Sequence, residues 1–135
     1  MKVTGACHCG RIGYEAEVDP ATIRVCHCTD CQRLTGTAFR ATIPSLPGSF
    51  RLTGGTPKIY IKTAESGTQR AHAFCPDCGT PIYSAAPGPD PTTYGLRVGG
   101  IDQRAQFAPP ARQIWCRSAL PWSMDMRGVE RSERQ

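Results

Sequence analysis

Apolar and polar residues alternate with period two in short runs along this chain, and no run keeps the spacing of a long amphipathic helix. Ile12, Tyr14, Ala16 and Val18 alternate with Gly13, Glu15, Glu17 and Asp19, which predicts a strand with one buried face that stops at Pro20. The same pattern places strands near Thr22–Val25, Ala38–Ile43, Phe50–Thr53, Lys58–Lys62, Arg70–Phe74, Pro81–Ser84, Thr93–Val98 and Gln113–Arg117. Turn chemistry separates them, at Pro44–Gly48, Gly54-Gly55, Ser66-Gly67, Pro87–Pro91 and Pro109-Pro110. The expected fold is mostly β, built of short antiparallel strands with at most one or two short helices. One helix is predicted from Thr29-Asp30-Cys31-Gln32, which has capping-box form, to a stop at Gly36. With Thr29 as its cap, Cys31 falls in the first turn, where free N–H groups and the helix dipole favour a thiolate. No repeat or second apolar pattern appears, so residues 1–126 are expected to form one domain, and the polar stretch 127–135 a disordered tail.

Composition changes this picture in one respect. A chain of 135 residues builds only a modest core, and eight of its residues are cysteine. The N-terminus has no apolar run of signal-peptide length and nowhere is there a membrane-spanning run, so a soluble, cytoplasmic protein is expected. In a reducing compartment such a cysteine pattern indicates metal or catalysis before disulfides. The formal charge of +5 assumes neutral thiols. Seven thiolates around two dications would remove three of those five positive charges, which weakens any case for nucleic acid. Thirteen of the 16 basic residues are arginine, scattered without a block, a pattern compatible with a small anionic ligand.

Cys75-Pro76-Asp77-Cys78-Gly79 has the spacing of a zinc knuckle, which supplies two of the four ligands that tetrahedral zinc needs. Cys7-His8-Cys9-Gly10 offers the second pair, because residues i and i+2 of an extended segment share a face while His8 points away. These four are the expected structural site. Cys26-His27-Cys28-Thr29-Asp30-Cys31 offers three convergent sulfurs, and three protein ligands with an open fourth position is the arrangement of catalytic zinc. A redox dithiol and a closed structural site are the alternatives for this group. An internal fourth ligand is also open. His27 alternates away from its neighbours, His8 is a weaker candidate, and His72 is expected at the surface or behind the ligands. Cys116, in an apparent late strand, is expected as a small buried hydrophobe or as the missing ligand. Trp115 and Trp122 are expected in the core or a pocket wall.

Together these segments resemble the family of glutathione-dependent formaldehyde-activating enzymes, whose domain is shared with centromere protein V. The resemblance rests on Gly5–Gly10 with Tyr14-Glu15, Cys26–Cys31 through Leu34-Thr35-Gly36 to Phe39, Phe74–Tyr83, Gly99–Asp102, Ile114-Trp115 and Pro121-Trp122. It implies an all-β fold called a β-tent. It also implies structural zinc on Cys7, Cys9, Cys75 and Cys78 and catalytic zinc on Cys26, Cys28 and Cys31. The implied reaction is addition of glutathione to formaldehyde, a carbon-sulfur lyase reaction run in reverse. Arginine would hold the glutathione carboxylates, and Arg33 and Arg40 are the candidates by proximity in sequence. Two other classes compete: a zinc-stabilised binding module without catalysis, against which the lack of a Lys/Arg block counts, and a thiol redox enzyme.

Overall fold

The computed structural model describes Met1–Gln135. Ten strands form two sheets. A small antiparallel sheet joins β1 (Lys2–Ala6), β2 (Gly13–Glu17) and β5 (Arg51–Gly54) in that order. A seven-stranded sheet contains β3 (Arg24–Cys26), β4 (Arg40–Pro44), β6 (Lys58–Thr63), β7 (Gln69–Phe74), β8 (Pro81–Ala85), β9 (Gly95–Arg97) and β10 (Arg112–Ile114). Its spatial order is β10-β3-β4-β9-β8-β7-β6. All its pairings are antiparallel except β10 on β3, which departs from the expected uniformly antiparallel arrangement. One α-helix, α1 (Thr29–Thr35), and several single 3-10 turns complete the chain, so the mostly β expectation holds.

The two sheets share one core. Val3, Tyr14 and Ala16 from the small sheet, with Val18 just beyond it, meet Ile43, Ala73, Ile82 and Leu96 from the large one. Phe50 links them, stacked on Tyr94 at 4.2 Å and edge-on to Tyr83 at 5.1 Å. Only 26 of the 135 residues are buried, a thin core for which a cross-link between the sheets matters.

Strand β1 is absent from the sequence-based expectation because Val3 is its only large apolar residue. Its partner supplies the rest: the Tyr14 ring lies directly over Gly5, its cross-strand neighbour, where no side chain fits. The strand expected from Thr22 begins instead at Arg24, because Asp19 accepts the Ala21 N–H at 3.0 Å and caps a 3-10 turn over Pro20–Thr22. The last strand ends at Ile114. Trp115 adopts φ 57°, a left-handed conformation, and throws the chain into a turn over Cys116–Ser118. Cys116 is therefore exposed, not a buried hydrophobe, and Trp115 and Trp122 are 56% and 58% exposed instead of lying in the core. Residues 127–135 are exposed throughout. No helix is long and apolar enough to cross a membrane.

Candidate functional site

Each cysteine pair of the first group sits in the loop of a hairpin. Cys7 and Cys9 lie between β1 and β2 of the small sheet, and Cys75 and Cys78 between β7 and β8 of the large one. The turns are built alike, with the Gly10 N–H donating to the Cys7 carbonyl at 3.0 Å and the Gly79 N–H to the Cys75 carbonyl at 2.9 Å. Both glycines take a φ near 75° (76° and 74°), which a side chain would strain. The four Sγ atoms lie within 4.8 Å of one another, with Cys7 to Cys9 at 3.5 Å and Cys9 to Cys75 at 3.7 Å. Tetrahedral zinc with bonds of about 2.3 Å has sulfur-sulfur edges of about 3.8 Å, so this donor set fits the ion.

Electrostatics supports the same fit. The Ile12 N–H donates to Cys7 Sγ at 3.2 Å, and the Thr80 hydroxyl lies 3.1 Å from Cys78 Sγ. Thr80 draws the Cys78 thiol down to about 5. Cys9, although the Arg11 backbone pulls it down, is pushed up to about 12 by Cys7 and Cys78. Thiolates this close oppose one another, and a dication lets all four ionise together.

The second group is a strand-to-helix corner. Cys26 ends β3, Cys28 caps α1 and buried Cys31 lies in its first turn, with all three Sγ atoms within 4.8 Å of one another. Cys28, not Thr29, is the cap, and it accepts the Cys31 N–H at 3.3 Å. The helix N-terminus therefore serves the Cys28 sulfur: burial opposes, but that N–H leaves the Cys28 thiol lowered, while burial pushes the Cys31 thiol up. Gln32 is not a capping-box partner either. Its Nε2 donates to the carbonyls of His27 at 2.8 Å and Ser118 at 2.9 Å, which locks the corner to the C-terminal turn.

No histidine, aspartate or glutamate joins these three sulfurs. His27 is buried and turned away, its Nε2 2.8 Å from Gln113 Oε1. His8 is exposed, and Cys116 belongs to neither group. His72 is not a surface residue and does not join the three sulfurs; it is buried beside Arg97. Of the two arginines singled out from sequence, Arg33 is exposed on the helix, whereas Arg40 is buried and lies directly cross-strand from Cys26. Lys62 of β6 reaches α1 through Asp30 at 2.6 Å, closing the other side of the corner.

Two cavities open between the cysteine groups, of about 370 Å³ and 440 Å³, and Arg40, Pro81 and Arg97 line both. Thr80 and His8 reach them from the four-cysteine side, and Leu34 and Thr35 from the helix that carries Cys31. No cysteine lines either wall; Arg40 makes the connection, through its pairing with Cys26. Arg97 was invisible to sequence patterning, and His72 was singled out there without its neighbours. Only the register from β4 through β9 and β8 to β7 brings residues 40, 97 and 72 together.

Two packed sheets, each contributing a cysteine pair to a four-cysteine group and the larger carrying a three-cysteine corner beside a basic cavity, define a small mostly β protein with two candidate metal centres. The chain belongs to the glutathione-dependent formaldehyde-activating enzyme family, whose model matches residues 2–118. A solved crystal structure of a Rhodobacter sphaeroides protein shares the fold, with a TM-score of 0.59 at 23% identity over 82% of this chain and 98% of that one.

Proposed function

We propose that the chain is a zinc-dependent enzyme of the carbon-sulfur lyase type that adds a thiol, such as glutathione, to formaldehyde or a related small electrophile at the three-cysteine corner. The observation that carries this reading is that Cys26, Cys28 and Cys31 converge while every nearby histidine and the eighth cysteine are engaged or directed elsewhere. A donor set short of four is what a substrate sulfur completes. Cys7, Cys9, Cys75 and Cys78 would hold the second zinc and staple the sheets.

Zinc at the corner would supply acidification of a thiol, so that it reacts as thiolate at neutral pH. In the reaction a carbon-sulfur bond forms, the carbonyl π bond breaks and the thiol proton ends on the former carbonyl oxygen. The protein's own residues set the surroundings. Arg40 and Lys62 supply positive charge on two sides of the sulfurs, which favours anionic sulfur over neutral thiol. The α1 cap fixes Cys28, and Gln32 and His27 hold the corner so that the sulfurs stay convergent when a substrate leaves.

Exchange of formaldehyde with glutathione, followed by NMR with and without zinc-loaded protein, tests the reading. Catalysed exchange by the wild-type chain and none by Cys31→Ser is expected. Exchange at the uncatalysed rate with fully loaded wild-type protein would remove this chemistry and leave a zinc-stabilised binding module.

A further inference from the structure

The registers of the large sheet set His72 of β7 between Tyr60 of β6 and Ser84 of β8. His72 is 8% exposed, and its ring makes one hydrogen bond, between Nδ1 and Arg97 Nη2 at 3.1 Å. That bond decides which ring nitrogen carries the proton. A guanidinium has N–H donors and no acceptor, so Nδ1 accepts and the proton of the neutral imidazole sits on Nε2. Arg97 keeps its own proton at neutral pH, although burial and the Arg40 charge pull it down to about 9. The imidazole stays neutral there too, because burial and the charges of Arg40, Arg97, Lys62 and Arg70 push His72 down to about 4.

The Nε2–H donor has no partner in the chain, and unlike Nδ1 of His27 or Nε of Arg97 it is not sealed in by protein. It opens on the cavity of about 370 Å³ that His72 lines together with Leu34, Arg40 and Tyr60. Leu34 follows Cys31 by one turn of α1 and Arg40 lies cross-strand from Cys26, so this cavity borders the three-cysteine corner. When a thiolate adds to a carbonyl, negative charge grows on the carbonyl oxygen, and a fixed donor aimed there stabilises the transition state more than the ground state. A neutral imidazole suits that task, since it polarises a carbonyl without adding a charge that would hold the attacking sulfur back. Arg40 serves the sulfurs instead, its charge favouring the anionic form of Cys31.

We propose that His72 is a catalytic residue whose Nε2–H donates a hydrogen bond to the carbonyl oxygen of the electrophile as charge develops on it. This rests on the reading that a thiol adds to a carbonyl at the three-cysteine corner. His72 keeps its proton throughout. The carbon-sulfur bond forms, the carbonyl π pair moves to oxygen, and the alkoxide takes a proton from water, which balances the proton the thiol released on ionising. Arg97 is then a positioning residue that fixes the tautomer and the orientation of the ring.

Two measurements test it. In zinc-loaded wild-type protein carrying isotope-labelled histidine, nitrogen-proton correlation NMR should show His72 as the neutral Nε2–H tautomer at neutral pH. An Nδ1–H tautomer or an imidazolium overturns the proposal without recourse to any variant. Formaldehyde exchange with glutathione is then compared among wild type, His72→Phe, which keeps a ring but no donor, and His72→Gln, whose amide N–H stands near the place of Nε2. Zinc content and melting temperature are measured on the same samples. The maximal exchange rate should fall about 100-fold in His72→Phe, with half-saturation by glutathione unchanged, and should be partly restored in His72→Gln. His72→Asn, whose amide is too short to reach that place, replaces His72→Phe with the same expectation should the latter not fold. A folded, zinc-loaded donorless variant as active as wild type overturns the assignment and leaves the reaction standing. Uncatalysed exchange by wild-type protein with the Nε2–H tautomer in place removes the reaction itself, and the role of His72 with it.

Discussion

Replacing one sulfur in each group separates a staple from a working centre. Cys75 is fully buried in the shared core, and its site ties residues 66 positions apart, Cys9 and Cys75. Closing a loop of that length costs about 4 kcal/mol of chain entropy, and metal bonds across it would contribute to folding directly. A domain of this size is stable by on the order of 10 kcal/mol, so losing the tie removes a large share. At about 3–4 °C per kcal/mol for a chain of this length, Cys75→Ser should lower the melting temperature by about 15 °C or abolish cooperative melting. The corner closes only the local segment from Cys26 to Cys31, for which the same relation gives about 1.5 kcal/mol. Cys31→Ser should therefore melt within a few degrees of wild type. Each variant should lose one of the two zinc ions. The assay is thermal melting by circular dichroism with zinc measured on the same samples. Equal destabilisation by the two changes, or a Cys75→Ser variant as stable as wild type, would refute the division of roles.

Gly5→Ala would place a methyl group on the Tyr14 ring and the Gly100 carbonyl, and should cost about 1–3 kcal/mol in denaturant melts; a neutral result would contradict the packing of Tyr14 over the strand. His72 titrates near 4 in the fold against an ordinary 6.5, so the unfolded chain binds its proton first as pH falls. The stability present above pH 6.5 is then lost progressively down to pH 4, by up to about 3 kcal/mol. His72→Gln should flatten that slope relative to wild type, and identical slopes would place His72 in solvent. Deleting residues 127–135, all exposed, should leave the melting temperature within about 2 °C, and a larger fall would assign the tail to the domain.

The cysteine groups were legible because their grouping is local: each C-x-C or C-x-x-C states its own pairing, and only the partnership of Cys7 and Cys9 with Cys75 and Cys78 had to be inferred from ligand count. Strands were legible wherever one face carried repeated bulky residues, as from Ile12 to Val18. They were not where a glycine stood in for a core residue, as at Gly5, or where alternation ran past a left-handed residue, as at Trp115. Arg97, and its meeting with Arg40 and His72, was hidden for a further reason. Period-two patterning says which residues of one strand share a face, but Arg40, Arg97 and His72 lie on three strands, and only their pairing registers unite them. Composition also misled at Cys116 and Trp122, apolar residues that the C-terminal turns leave exposed.

In the proposed chemistry a substrate sulfur completes the three-cysteine corner. X-ray absorption at the zinc edge, on fully loaded protein before and after glutathione, tests it most directly. An average zinc-sulfur coordination number that rises on adding glutathione, with no rise in Cys31→Ser, is the predicted result. A number unchanged by glutathione at saturating concentration would contradict it.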